Sequence, residues 1–341
     1  GSNLHLMLGT AGMPASIGTF LSGKGSSFEE IIYPTEYTNV SFIPGDSEVP
    51  GLANLSAAQK SRLNKQLKRI DTDYLVLDLG AGTYNTIVDF FLLSSHGIIV
   101  TSPTPPATVN AYLFLKNAAF RILYSSIKRK SPGADYLKSL RESGGGLGRV
   151  YLPQLTEKLK EVDPESYEAF SKAYRRFRPR LVLNMLGDPK DAEKANRLRR
   201  SAQQYLSTDL LHLGVMYRDE IQDIALGSRL PILKYKSQSV LSQAIRRIAE
   251  KLMQLEAEEE DEAPLDMEAL DDSFDAAESE AENDFDSKLS YVEELLQSGT
   301  LTTGDLIETI KSQHYEIVEL RKQNMLYKAK LVNAIKQGFR A

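Results

Sequence analysis

The chain contains no cysteine, which excludes disulfide bonds and thiolate metal sites and leaves nothing that argues for export. No apolar run approaches the roughly 20 residues that span a bilayer, and no signal peptide precedes the first apolar stretch. A cytoplasmic protein is therefore expected. Lysine and arginine are missing altogether from residues 256–286, where sixteen acids fall. The formal charge of −5 over 341 residues thus reflects one late segment more than the whole chain. The composition, 42% hydrophobic and 26% charged, suits one globular domain with appendages.

Residues 73–83, DYLVLDLGAGT, are the stretch around which the rest is arranged. The apolar and aromatic run from Tyr74 to Leu79, interrupted only by Asp78, suits a strand buried on both faces of a parallel sheet. Ligands of open α/β sheets gather beyond the carboxyl ends of the strands. Asp78 is placed there to meet a metal ion, directly or through water, as the magnesium-binding acid of a nucleotide-hydrolysing fold does; the other reading is a strand acid that caps the next turn. Gly80 and Gly82 allow backbone conformations that side chains forbid, as a phosphate-sensing loop requires.

The flanking segments alternate short apolar strands with helices, which predicts a parallel α/β sheet. Residues 40–43 (VSFI) read as a short strand. A helix capped by Ser56 runs to about Ile70, with Leu63, Leu67 and Ile70 on one face. A second helix, near residues 86–94, carries Val88, Phe91 and Leu92 inward. Residues 97–101 (GIIVT) read as a buried strand stopped by prolines, and residues 108–119 as a helix. Strands follow at 181–185 (LVLNM) and 212–216, the latter at an edge, and residues 240–255 close the domain as an amphipathic helix. Asn184, near the end of its strand, offers an amide with both donor and acceptor, for a base edge or for local backbone groups.

The run from Asp73 to Lys116, DYLVLDLGAGTYNTIVDFFLLSSHGIIVTSPTPPATVNAYLFLK, resembles the MinD/ParA family of deviant Walker ATPases, and most of all its flagellar-number regulators of the FlhG type. NLHLMLGT at the start, LVLNMLGD from Leu181 and LGVMYRD from Leu213 carry the same resemblance, which covers roughly residues 3–255 apart from a middle insertion. It implies a P-loop NTPase-like fold, a mostly parallel sheet flanked by helices, that binds ATP and Mg2+ and acts as a nucleotide-switched positioning factor. In such a protein ATP closes a sandwich homodimer and hydrolysis releases it. Asp78 would hold the magnesium ion or its water, the backbone of Gly80, Ala81 and Gly82 would sense the γ-phosphate, and Asn184 would select adenine. Family members begin with a strand, a lysine-bearing phosphate loop, a helix and a second strand. No residues here match that unit, so the catalytic residues stay unassigned. The pair Gly23-Lys24 lacks the spacing of a phosphate loop and reads as a surface loop. A scaffold without catalysis and a DNA-partition factor are the alternative roles.

Between residues 120 and 180 the resemblance lapses. Lys128, Arg129 and Lys130 cluster at one end of this helical insertion and Arg175, Arg176, Arg178 and Arg180 at the other. They suit contact with DNA or an anionic membrane, or a solvated face whose charge balances the acidic segment, and the latter is the reading taken. Residues 256–287 read as a disordered acidic linker. Residues 288–341 read as a helical tail, with a longer helix from about Asp305. In it Ile310, Ile317, Asn324 and Leu331 recur every seven residues, with Leu306, Gln313, Leu320, Tyr327 and Ala334 as companions. These rows are the a and d positions of a candidate dimeric coiled coil; a helix packed on its own domain has the same pattern. The last turns set Leu331, Ile335 and Phe339 among Lys328, Lys330, Lys336 and Arg340, loosely like the membrane-targeting helices that end MinD-like proteins. The partners so implied are a second copy, a flagellar or cell-pole protein, and a reversible contact with the inner face of the membrane.

Overall fold

A computed structural model describes residues 4–8, 10, 13–22, 27–45, 55–142, 151–258, 267–298 and 302–336. Gly23-Lys24, the glycine run at 144–146, and Phe339 and Arg340 lie outside them. The chain divides into two units, Gly1–Asp284 and Phe285–Ala341.

The first unit begins with the short helices α1 (Leu4–Met7) and α2 (Ile17–Leu21) and a two-stranded antiparallel ladder of β1 (Tyr33–Pro34) and β2 (Ser41–Phe42). Helix α3 (Ala57–Leu67) starts where Ser56 and Gln59 satisfy each other's exposed amides in a capping box. It buries Leu63 and Leu67 against Phe20, Phe28 and Ile31, and Ile70 and Leu77 pack on that cluster. Helix α4 (Asn85–Phe91) buries Val88 and Phe91. Asp89 on α4 accepts from Lys60 of α3 and from Arg121 of α5 (Pro105–Ser126). Burial pushes the Asp89 carboxyl up, but these two cations outweigh it and its pKa is lowered.

Between α4 and α5 lies β3 (Ile98–Thr101), the first strand of a three-stranded parallel sheet. Helices α6 (Pro132–Glu142), α7 (Leu152–Val162) and α8 (Pro164–Arg175) follow, then β4 (Arg180–Leu186), α9 (Lys194–Leu206) and β5 (Leu211–Tyr217). The sheet order is β3-β4-β5, so β4 is central. Helices α5, α8 and α9 pack against one another beside it, while α12 (Val240–Glu258), reached through α10 (Ile221–Gly227) and α11 (Ile232–Tyr235), lies on β5. Asp163 ties the insertion together: its buried carboxylate accepts from the amides of Gly133 and Ser166 and from the Ser166 hydroxyl. With Ser131 as the strongest contributor, these bonds hold its pKa at about 2.

Three expectations need correction. Residues 74–80 do not form a strand: the backbone is without ladder pairing, and Tyr74, Leu75 and Val76 are 52%, 42% and 87% exposed. The reason is that an apolar run becomes a strand only beside a partner, and among the described residues none lies beside it. Strand β3, expected to be buried, has Ile98 and Val100 exposed on one face and no strand on its outer edge among the described residues. The acidic segment is not a disordered linker where it is described. Residues 267–286 belong to helix α13 (Met267–Gln297).

Up to Asp284 this helix is part of the first unit. Leu270, Phe274, Ala277, Ala281 and Asp284 recur at helical spacing and are buried, while the remaining acids face outward or pair. The Leu211 amide donates to Pro179 ahead of β4, whereas the next amide, of His212, donates to Ser273 Oγ at 3.2 Å. Successive amides of a strand point to opposite edges, so α13 lies along the outer edge of β5 and closes it. Tyr217 also donates to the Ala281 carbonyl. Arg247 of α12 grips Asp284 through both terminal nitrogens, at 3.2 and 2.7 Å, Lys251 pairs with Glu280, and Arg199 of α9 pairs with Asp271. These cations lie outside the insertion that was expected to balance the acids. The order of the segment thus comes from an apolar stripe and cations on α9 and α12, which composition averages away.

In the second unit α14 (Thr303–Lys336) is a single helix of 34 residues, starting two residues before the expected position. No helix among the described residues is long and apolar enough to cross a membrane.

Candidate functional site

The carboxyl ends of the three parallel strands converge on one rim of the first unit. Strand β3 runs into Ser102 and Thr104, whose hydroxyls lie 3.1 Å apart. Strand β5 runs into Arg218 and Asp219; the Arg218 amide donates to the Leu186 carbonyl, and Asp219 accepts from Ile221. Between them β4 departs from regular geometry. Its register with β5 shifts between Leu183 and Leu186, and Met185 there has φ 62°. A left-handed methionine inside a strand costs about 1–3 kcal/mol and persists only where its surroundings hold it.

Asn184 does part of that holding: its Oδ1 accepts from the Met185 amide at 2.7 Å. The bulge re-aims residues 184 and 185 away from the ladder, leaving Asn184 half-exposed and Met185 exposed at the rim. The amide nitrogen of Asn184 has no partner among the described residues and is the donor half that a base edge requires. Just beyond, Gly187 and Asp188 aim their backbone amides at Asp191 Oδ2, at 3.0 and 3.3 Å. Burial pushes the Asp191 carboxyl up, but bonds from Lys194 and from these amides outweigh it and lower its pKa. The chain thereby supplies its own carboxylate to a pair of amides that would otherwise suit an anion. Sequence reading missed Met185 and Asp191, although the Gly187-Asp188-Pro189 turn directly after a strand was a signal for the second.

The other predicted residues lie in a turn. Asp78, Gly80, Ala81 and Gly82 are all exposed ahead of α4. Gly82 has φ 126°, a conformation that requires glycine, and an added Cβ would meet the Tyr84 ring at 3.4 Å. Nothing lies within 4 Å of a Cβ added at Gly80. No group of three metal-ligating side chains, at Asp78 or elsewhere, occurs among the described residues. Lys60 and Arg121 are engaged by Asp89, and among the described residues no cation is bonded to the turn. Nor does any hydrogen bond or ion pair among the described residues join the turn to Asn184. The described residues therefore do not by themselves make a site for a tightly held magnesium ion.

No family model matches the chain, and no curated protein matches it. Among solved structures, the cell-division ATPase MinD of Pyrococcus furiosus is similar at 18% identity over 74% of this chain and 81% of that one, with a TM-score of 0.46. The septum site-determining protein MinD of Pyrococcus horikoshii OT3, solved with Mg-ADP, is similar at 18% identity over 75% and 80%, with a TM-score of 0.43.

Proposed function

We propose that this chain is a MinD/ParA-type positioning factor, acting in flagellar number or placement, whose body responds to an adenine nucleotide at the carboxyl rim of its parallel sheet. What supports this reading is where the resembling stretches fall. GIIVT, LVLNMLGD and LGVMYRD supply the three adjacent strands, so residues far apart in sequence meet on one rim. The observation that carries it is Asn184, half-exposed beside a left-handed Met185 at the end of the central strand, its amide nitrogen without a partner among the described residues. In this reading Asn184 meets the adenine edge and the Gly80–Gly82 amides meet phosphate.

Because no cation among the described residues is bonded to the turn, weak nucleotide binding is expected. Titration with a fluorescent ATP analogue is expected to show half-saturation only in the millimolar range, about 4 kcal/mol of binding. ATP should compete several-fold better than GTP, and Asn184→Ala should abolish that preference. Equal competition by ATP and GTP in the unaltered chain would overturn the adenine assignment. Micromolar, magnesium-dependent binding would place the phosphates at some other, cationic site.

A further inference from the structure

We propose that α14 is one strand of a parallel, in-register, two-stranded coiled coil formed with a second copy of this chain. The inference goes beyond the nucleotide reading and does not depend on it. Within the second unit α14 is helical from Thr303 to Lys336, long enough for four heptads. Its seam is open among the described residues: Ile310, Ile317, Leu320 and Tyr327 are 61%, 45%, 51% and 62% exposed. Four large apolar side chains on one repeating stripe of a helix lose by staying in water.

The polar positions select the occupant and its direction. Asn324 stands at an a position, where a parallel in-register pair sets it beside its own counterpart, amide to amide. The same register places Glu316 at g and Arg321 at the following e. Parallel chains bring g of one helix against e of the other, so Glu316 meets Arg321 on both sides of the seam. Antiparallel chains bring e against e and g against g. In the centred register Glu316 then meets Lys330, but Arg321 meets its own copy and Lys328 meets His314, so the balance is less favourable. Charge therefore separates the two directions where the apolar stripe alone does not. A pair so joined holds two bodies at an effective concentration of about a millimolar, so contacts between bodies become intramolecular.

The absence of native cysteine makes the test direct. Ile310→Cys in the full chain places two thiols across one a layer only in the parallel register, where Cα atoms fall within about 7 Å. Mild oxidation without nucleotide should convert most of it to a disulfide dimer. A mixture of Ile310→Cys and Tyr327→Cys chains should give no mixed dimer, since those positions lie about 25 Å apart along parallel helices. Ile317→Lys should leave the full chain monomeric in sedimentation at about 10 μM with its far-ultraviolet dichroism unchanged. Asn324→Ile should give more thermostable but mixed oligomers. A monomeric unaltered chain, a dimer that survives Ile317→Lys, or cross-linking confined to the mixed pair would each overturn the proposal.

Discussion

Replacing Phe274 with alanine tests whether the acidic segment is a structural helix. The side chain is 1% exposed. Its ring meets His212 edge-on at 5.1 Å and lies under the Arg199 guanidinium at 4.8 Å. Removing a ring from so closed a site costs about 3–5 kcal/mol, of which the two ring contacts supply about a third. Because α13 docks as a local element, the loss should appear first as opening of that helix. At about 1.4 kcal/mol per factor of ten, amides of residues 270–284 should exchange about 10²-fold to a few 10³-fold faster in Phe274→Ala. Asp275→Ala, on the exposed face one residue away, controls for composition and helix propensity and should stay within tenfold of the parent. The assay is hydrogen exchange read by mass spectrometry. Equal exchange in the two variants would mean that the segment is not held by its apolar stripe, and the docking described above would be wrong.

Acid should weaken the same region through His212. Its Nδ1 accepts from the Gly214 amide, and burial, aided by the charge of Lys251, lowers its pKa from 6.5 to about 3. The unfolded chain then binds the proton first, so stability is complete above about pH 6.5 and falls as pH drops toward 3. The loss between pH 7 and 5 is about 2 kcal/mol, to be read from urea midpoints, and His212→Asn, which keeps an acceptor, should flatten it. The turn at residues 80–82 offers a contrast within one loop. Gly82→Ala should lower thermal stability by about 1 kcal/mol or more because of its positive φ, while Gly80→Ala should change it by less than about 0.5 kcal/mol.

Local signals were legible wherever the chemistry was local. Ser56 announced the start of α3, and the apolar runs at 97–101, 181–185 and 212–216 announced parallel strands. The heptads of the tail announced one long helix. What failed depended on neighbours. The run at residues 74–79 is as apolar as β4, yet without a strand beside it the backbone stays unpaired. The acids of residues 267–286 outvoted Leu270, Phe274, Ala277 and Ala281, because two of those four are alanines that carry little hydrophobic weight. Arg199, Arg247 and Lys251, which pair with Asp271, Asp284 and Glu280, are remote in sequence and nothing local points to them. At the rim Asn184 was legible as an amide at a strand end. The left-handed Met185 beside it was not, since a bulge depends on register with the next strand.

The most direct measurement of the central claim is the amide resonance of the Asn184 side chain during titration with ATP to several millimolar. Its Nδ2 signal, identified by its loss in Asn184→Ala, should shift progressively with ATP and much less with GTP, together with the backbone amides of Met185 and Gly82. An Asn184 signal that stays still while ATP moves other residues, or that moves equally with GTP, would contradict an adenine site at the end of β4.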